Sequence, residues 1–178
     1  GTANCMRGLA KLYKLNEPVA FLFGLLHGIG ITLTLRLYLR AFDTVRLNQM
    51  KQVIKDDRKD IEKALDELEL DPYFVSDALT KFSFDMTVKL FEQLQLKYAV
   101  LAPFAQEFSA AIKITDASPM TQALMQAKSF VQYKMLQKAR LIDLDEAKAF
   151  LTHYRINNRI IGELNKINLG KLNLKYEE

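Results

Sequence analysis

Cysteine is almost missing from this sequence: Cys5 stands alone among 178 residues, so no intramolecular disulfide can close and a zinc site built on four thiolates is excluded. A chain that does without disulfides at this size points to the cytoplasm. Histidine is scarce too, with only His27 and His153, and this limits imidazole-based metal sites and nucleophilic catalysis alike. Seven glycines and four prolines leave long stretches without a breaker, and helical spacing outscores strand alternation throughout. Charge of one sign is also lacking. Twenty-five basic residues against 21 acidic ones give +4, far from the dense basic stripe of a nucleic-acid binder, so no nucleic-acid partner is expected. The first residues hold no basic segment followed by an apolar one, so no secretory leader is expected, and an opening Gly1 in place of Met suggests a fragment of a longer chain.

What is there fits one soluble all-α domain. A chain of this length buries about 70% of its unfolded surface, enough for a core without metal or disulfide staples. Helices are expected over residues 3–13, from Pro18 to His27, and from Ile31 to Phe42, with Gly28 and Gly30 ending the second. Residues 48–70 crowd charge beside an apolar stripe, which reads as a surface helix with one face docked. Asp71 and Pro72 mark the start of a helix to Phe82, Ser83 offers a cap for the next, reaching Leu96, and Pro103 predicts a kink or restart in a helix from Tyr98. Residues 116–119 punctuate most strongly and precede a long helix. Asp143 and Glu146 have the spacing of a capping box, Asn157 and Asn158 interrupt the helix it opens, and Gly170 closes a last helical stretch. The expected division is a helical core over 1–115, a C-terminal helical subdomain over 116–170 packed on it, and a loose tail over 171–178.

Residues 18–35 carry no charge and are long enough to raise a membrane span. Their histidine, glycines and threonines, and the apolar pattern continuing past Arg36, favour a helix in a globular core, the most buried part of the chain by composition. No membrane partner is expected on this reading.

Ala20-Phe21-Leu22-Phe23-Gly24-Leu25-Leu26-His27-Gly28-Ile29-Gly30 resembles the signature of HD-superfamily domains, A-F-L-A-G-L-L-H-D-I-G, and most closely the HDOD branch, bacterial signalling domains related to metal-dependent phosphohydrolases. The replacement that matters is Gly28, which stands where the namesake aspartate follows the histidine. Upstream, residues 8–16 resemble the helix and turn ahead of the motif. Downstream, residues 83–97 resemble the branch's H-A-E-V-G-A-x-L-A-x-x-W-G-L-P helix, with Leu94, Gln95, Leu96 and Lys97 at its end. Ser83 then stands where a histidine is frequent, and Glu107 and Phe108 fall near a second histidine position. The match spans about residues 5–110. It implies an HD-domain-like bundle, with further helices ahead of the motif, and a degenerate site at His27 and Gly28 whose lost ligand positions are Ser83 and Glu107.

Active HD domains hold a divalent metal through His and Asp side chains to generate a nucleophilic water. With two histidines and no aspartate after His27, no metal and no cofactor is expected. An oxygen-rich magnesium site at Asp56, Asp57 and Asp60 competes with a solvated helix face, which explains the cluster more simply. A lone histidine ending an apolar helix reads as one bonded to a backbone carbonyl. Cys5 has no base near it, and neither a serine-nucleophile elbow nor a phosphate-binding loop occurs. Arg36, Arg40, Arg46, Lys51 and Lys55 could meet an anionic partner such as a nucleotide on one face, but Asp43, Asp56 and Asp57 interleave with them as on an ordinary solvated surface. Phe82, Phe84, Phe91, Tyr98, Phe104 and Phe108 are spaced as core and interface residues, not as a base-stacking platform. The expected function is a non-catalytic signalling module that binds a protein partner, an attached signalling domain or its own copy through residues 48–70 or the C-terminal helices. The rival is an HD-type phosphohydrolase of nucleotides or phosphoesters; a small-molecule sensor keeping a pocket in the old catalytic hollow is compatible with the first reading.

Overall fold

Three short punctuating elements decide where the helices begin. Asn16 accepts a hydrogen bond from the Val19 amide (3.1 Å) and Pro18 occupies the first turn, opening a helix; Ser118 with Pro119, and Asp143 with Glu146, do the same further along. The computed structural model describes residues 1–55, 72–93, 101–110 and 113–169, and among these every regular element is a helix. In chain order they are α1 (Thr2–Ala10), α2 (Glu17–Leu26), α3 (Ile29–Lys55), α4 (Pro72–Gln93), α5 (Ala102–Ser109), α6 (Pro119–Lys138), α7 (Leu144–His153) and α8 (Asn158–Asn165). The all-α bundle expected from the sequence is therefore the observed architecture.

One apolar cluster gathers from almost all of them. Cys5, Met6, Leu9 and Ala10 of α1 meet Ala20 and Phe23 of α2, Phe91 of α4, Leu101 and Ala105 at α5, five buried residues of α6 and Ile160 and Leu164 of α8. α1 lies at its centre, touching α2, α6 and α8. Gly24 permits that closeness: a Cβ there would sit 2.8 Å from the Ala3 Cα and 2.7 Å from Met6 Cγ. Tyr13 donates its hydroxyl to Gln126 Oε1 (2.6 Å), and the Gln126 amide donates to the Tyr154 and Arg155 carbonyls, so a buried polar residue of α6 ties the turn after α1 to the α7–α8 turn. The predicted capping box is present in full, with Asp143 accepting from the Glu146 amide and Glu146 from that of Asp143. Asn157 caps α8 through Ile160, which is why the two asparagines interrupt the helical run.

Three helical segments end the same way. Leu15, Leu141 and Ile156 amides reach back to Ala10, Leu136 and Leu151 carbonyls, and the preceding Lys14, Arg140 and Arg155 take left-handed backbone angles (φ 53°, 55° and 52°). These are Schellman closures with a long basic side chain where glycine is usual.

Several boundaries differ from expectation. α1 ends at Ala10 rather than near Tyr13, giving way to the turn that Lys14 closes. The helix expected to stop at Phe42 continues to Lys55, because nothing after Gly30 breaks it and its charged second half consists largely of good helix formers. Residues 48–55 of the expected surface helix belong to it; the remainder, with Asp56, Asp57 and Asp60, lies outside the described residues, as do the Asp71 cap, residues 94–97, Tyr98, the Phe108 side chain and the 171–178 tail. Ser83 does not open a new helix: α4 passes through it without a break. Pro103 sits in the first turn of α5, the restart alternative.

The largest correction concerns burial. α3 was expected to lie in the core, yet only Gly30 and Thr34 of its 27 residues are buried, and Ile31, Leu35, Leu37 and Leu39 are exposed. α3 extends about 40 Å at 1.5 Å per residue. α4 returns along it, and this second helix, rather than the core, covers one side of α3. Helical periodicity gives a helix its apolar positions but not the element that covers them.

Candidate functional site

His27 closes α2. Its backbone amide bonds to Phe23 O, and its Nδ1 lies 2.8 Å from Gly24 O. A carbonyl only accepts, so Nδ1 carries the proton in the neutral ring and Nε2 keeps the lone pair. The expected bond to a backbone carbonyl is thus the observed one. Burial pushes the ring pKa below its ordinary value; the Gly24 bond opposes this, and the positive charge of Lys128 on α6 adds to the lowering. The imidazole is held neutral, with an ammonium in its electrostatic surroundings.

Gly28 follows with open space around it, since a Cβ there would meet nothing within 4 Å. A larger side chain, such as the aspartate that the HD-like resemblance leads one to expect here, would therefore meet no crowding. The Gly28 carbonyl accepts from the Ile31 amide as the chain turns into α3.

Gly30 is the opposite case. Its amide, one of the donors left unpaired at a helix start, donates to Thr87 Oγ1 of α4 (3.1 Å), and that hydroxyl donates to Ser83 O (2.9 Å). A Cβ on Gly30 would lie 1.8 Å from Ser83 O and 2.3 Å from Thr87 Oγ1. Ser83, the first of the two positions that the resemblance pairs with lost ligands, is therefore buried in the α3–α4 contact. Its Oγ and that of Thr34 find no hydrogen-bond partner among the described residues.

Glu107, the second such position, holds the start of α6. Its carboxylate accepts from the Ser118 amide (2.5 Å), Ser118 Oγ (2.5 Å) and Thr121 Oγ1 (2.6 Å). Desolvation opposes ionisation, but these three donors outweigh it and hold the carboxyl below the usual range. The sequence offers no local signal for this role, because the partners lie 11 and 14 residues away.

Cys5 and His153 are the remaining candidates. Cys5 is fully buried, and desolvation pushes its thiol up to about 11, far from a reactive thiolate. His153 ends α7 against the Tyr154 ring. Among the described residues no three His, Cys, Asp or Glu side chains gather closely enough to hold a metal ion. Clefts open elsewhere, one between α1 and α8 lined by Arg7, Lys11, Glu163 and Lys166, another where α6 meets α7 around Tyr133 and Leu144. No protein-family model, curated protein or solved structure matches the chain, so the likeness to HDOD domains rests on the residues of its HD-like motif.

Proposed function

We propose that this chain is a non-catalytic, HDOD-like signal-transduction module of the cytoplasm whose output is the docking of a protein partner or an attached signalling domain. The observation that carries the reading is the employment of the would-be ligand positions: Ser83 lies inside a helix contact and all three donors around Glu107 serve to start α6. Gly28 brings no carboxylate to His27, and Lys128 adds positive charge where a catalytic cation would need negative charge. A ring with its Nδ1 proton fixed on Gly24 O still stabilises the end of α2, so retention of the histidine is accounted for without chemistry.

The test is elemental analysis of the purified chain after growth with iron, manganese and zinc, paired with turnover of a generic phosphodiester, on the wild type and on Gly28→Asp. The reading expects substoichiometric metal and no turnover in both, since an added aspartate fits the open space at 28 but supplies only one ligand. Stoichiometric metal with turnover in the wild type overturns it in favour of the phosphohydrolase.

A further inference from the structure

Among the described residues, an 18-residue stretch apolar enough to cross a membrane falls in the Glu17–Lys55 region and is only 28% buried. A core helix of a globular protein hides such a stretch; this one does not. On α3, Ile31, Leu35 and Leu39 follow at intervals of four along one exposed stripe, and Arg36 and Arg40 form the next stripe round the helix. The side facing α4 is a third stripe, marked by Gly30 and Thr34. Leu25 near the end of α2 is exposed as well.

Charge identifies what this surface suits. α3 carries Arg36, Arg40, Arg46, Lys51 and Lys55 against the single Asp43, all exposed, so this one helix has a charge equal to the +4 of the whole chain. No acidic residue occurs between Glu17 and Asp43. A second copy laid on the same face would bring two rows of cations together. An anionic surface gains from those on its side, Arg36 and Arg40 beside the apolar stripe and Arg46 in line with it.

We propose that α3 lies along an anionic phospholipid surface, with Ile31, Leu35 and Leu39 entering the boundary between headgroups and acyl chains and Arg36 and Arg40 binding lipid phosphates beside them. The helix lies on the bilayer and does not cross it: α2 stays packed on α1 and α6, and α4 covers the third stripe. Apolar insertion and phosphate attraction act together, because either alone holds a protein weakly. This departs from the membrane-free expectation drawn from composition. It is independent of the pseudoenzyme reading, which stands whether or not lipid binds.

The experiment is co-sedimentation of the full chain with vesicles of phosphatidylcholine alone and of phosphatidylcholine containing one-third phosphatidylglycerol. The proposal expects binding to the anionic vesicles, weakened by raising salt from about 0.1 M to about 0.5 M as screening shortens the reach of the arginines. Arg36→Gln with Arg40→Gln lowers the affinity at least tenfold, at about fivefold per cation. Ile31→Ser with Leu39→Ser abolishes it with helix content unchanged by circular dichroism. Both arginines are exposed, so their variant remains informative if the apolar one misfolds. Absence of anionic-vesicle binding overturns the proposal, as does equal binding to neutral vesicles. A dimer that Ile31→Ser with Leu39→Ser dissociates, without vesicle binding by the wild type, also overturns it and assigns the face to a second copy.

Discussion

Replacing Gly30 by alanine tests the joint on which the α3–α4 arm is built. The added methyl would lie 1.8 Å from a backbone carbonyl oxygen, Ser83 O, which cannot rotate away as a side chain can. Ordinary contact begins near 3.4 Å, so α3 and α4 must separate by about 1.5 Å at this point. That separation stretches the 3.1 Å bond from the Gly30 amide to Thr87 and leaves a helix-start donor unpaired in a buried place. Forced overpacking costs about 1–3 kcal/mol and the lost hydrogen bond about 1 kcal/mol, while alanine's better helix propensity returns up to about 1 kcal/mol. The net is about 2 kcal/mol of destabilisation, a fall of about 4–8 °C in melting temperature for a chain of this size. Gly28→Ala is the internal control: two residues away, its methyl enters open space and the change is neutral or slightly stabilising. Thermal and urea unfolding followed by circular dichroism reads both. A Gly30→Ala protein within about 0.5 kcal/mol of the wild type would refute the close crossing and the arm geometry that depends on it.

Three further substitutions probe the local chemistry. Arg140→Gly and Arg155→Gly each relieve a left-handed non-glycine residue and should raise stability by about 0.5–1 kcal/mol, adding in the double variant; a loss in urea midpoint would show that the arginine side chains contribute more than the backbone relief. Glu107→Ala removes the acceptor for three donors at the start of α6 and should cost about 1–2 kcal/mol. Because the folded Glu107 carboxyl titrates below its unfolded value, its contribution is present above the ordinary glutamate range and is lost as pH falls through the lowered folded value. The wild-type advantage over Glu107→Ala should therefore shrink on acidification below about pH 4.5, and a gap constant with pH contradicts the assignment.

Local punctuation was readable in advance and long-range partnership was not. Asp143 with Glu146, Ser118 with Pro119 and Pro103 each act within one helical turn, so residue order alone reveals them. Ser83 shows the limit: serine favours caps, but here no breaker accompanies it, and the helix continues while Thr87 bonds its carbonyl. Exposure of α3 was equally hidden, since a run of leucines states that burial is favourable without saying whether the chain itself supplies the cover. At the candidate site, the backbone bond of His27 was legible. The engagement of Glu107 with Ser118 was not, because a carboxylate eleven residues from its partner leaves no pattern.

The account turns on His27 being a neutral, backbone-anchored residue in surroundings unsuited to a cation, and nuclear magnetic resonance titration of its ring tests this most directly. Its pKa should lie below the ordinary value of about 6.5, so that stability, complete above that pH, declines as pH falls from there through the folded value. Addition of zinc should leave both the titration and the Nδ1-protonated tautomer unchanged. A ring pKa above 6.5, or a zinc-dependent shift at Nε2, would contradict the account and return His27 to the role of a metal ligand.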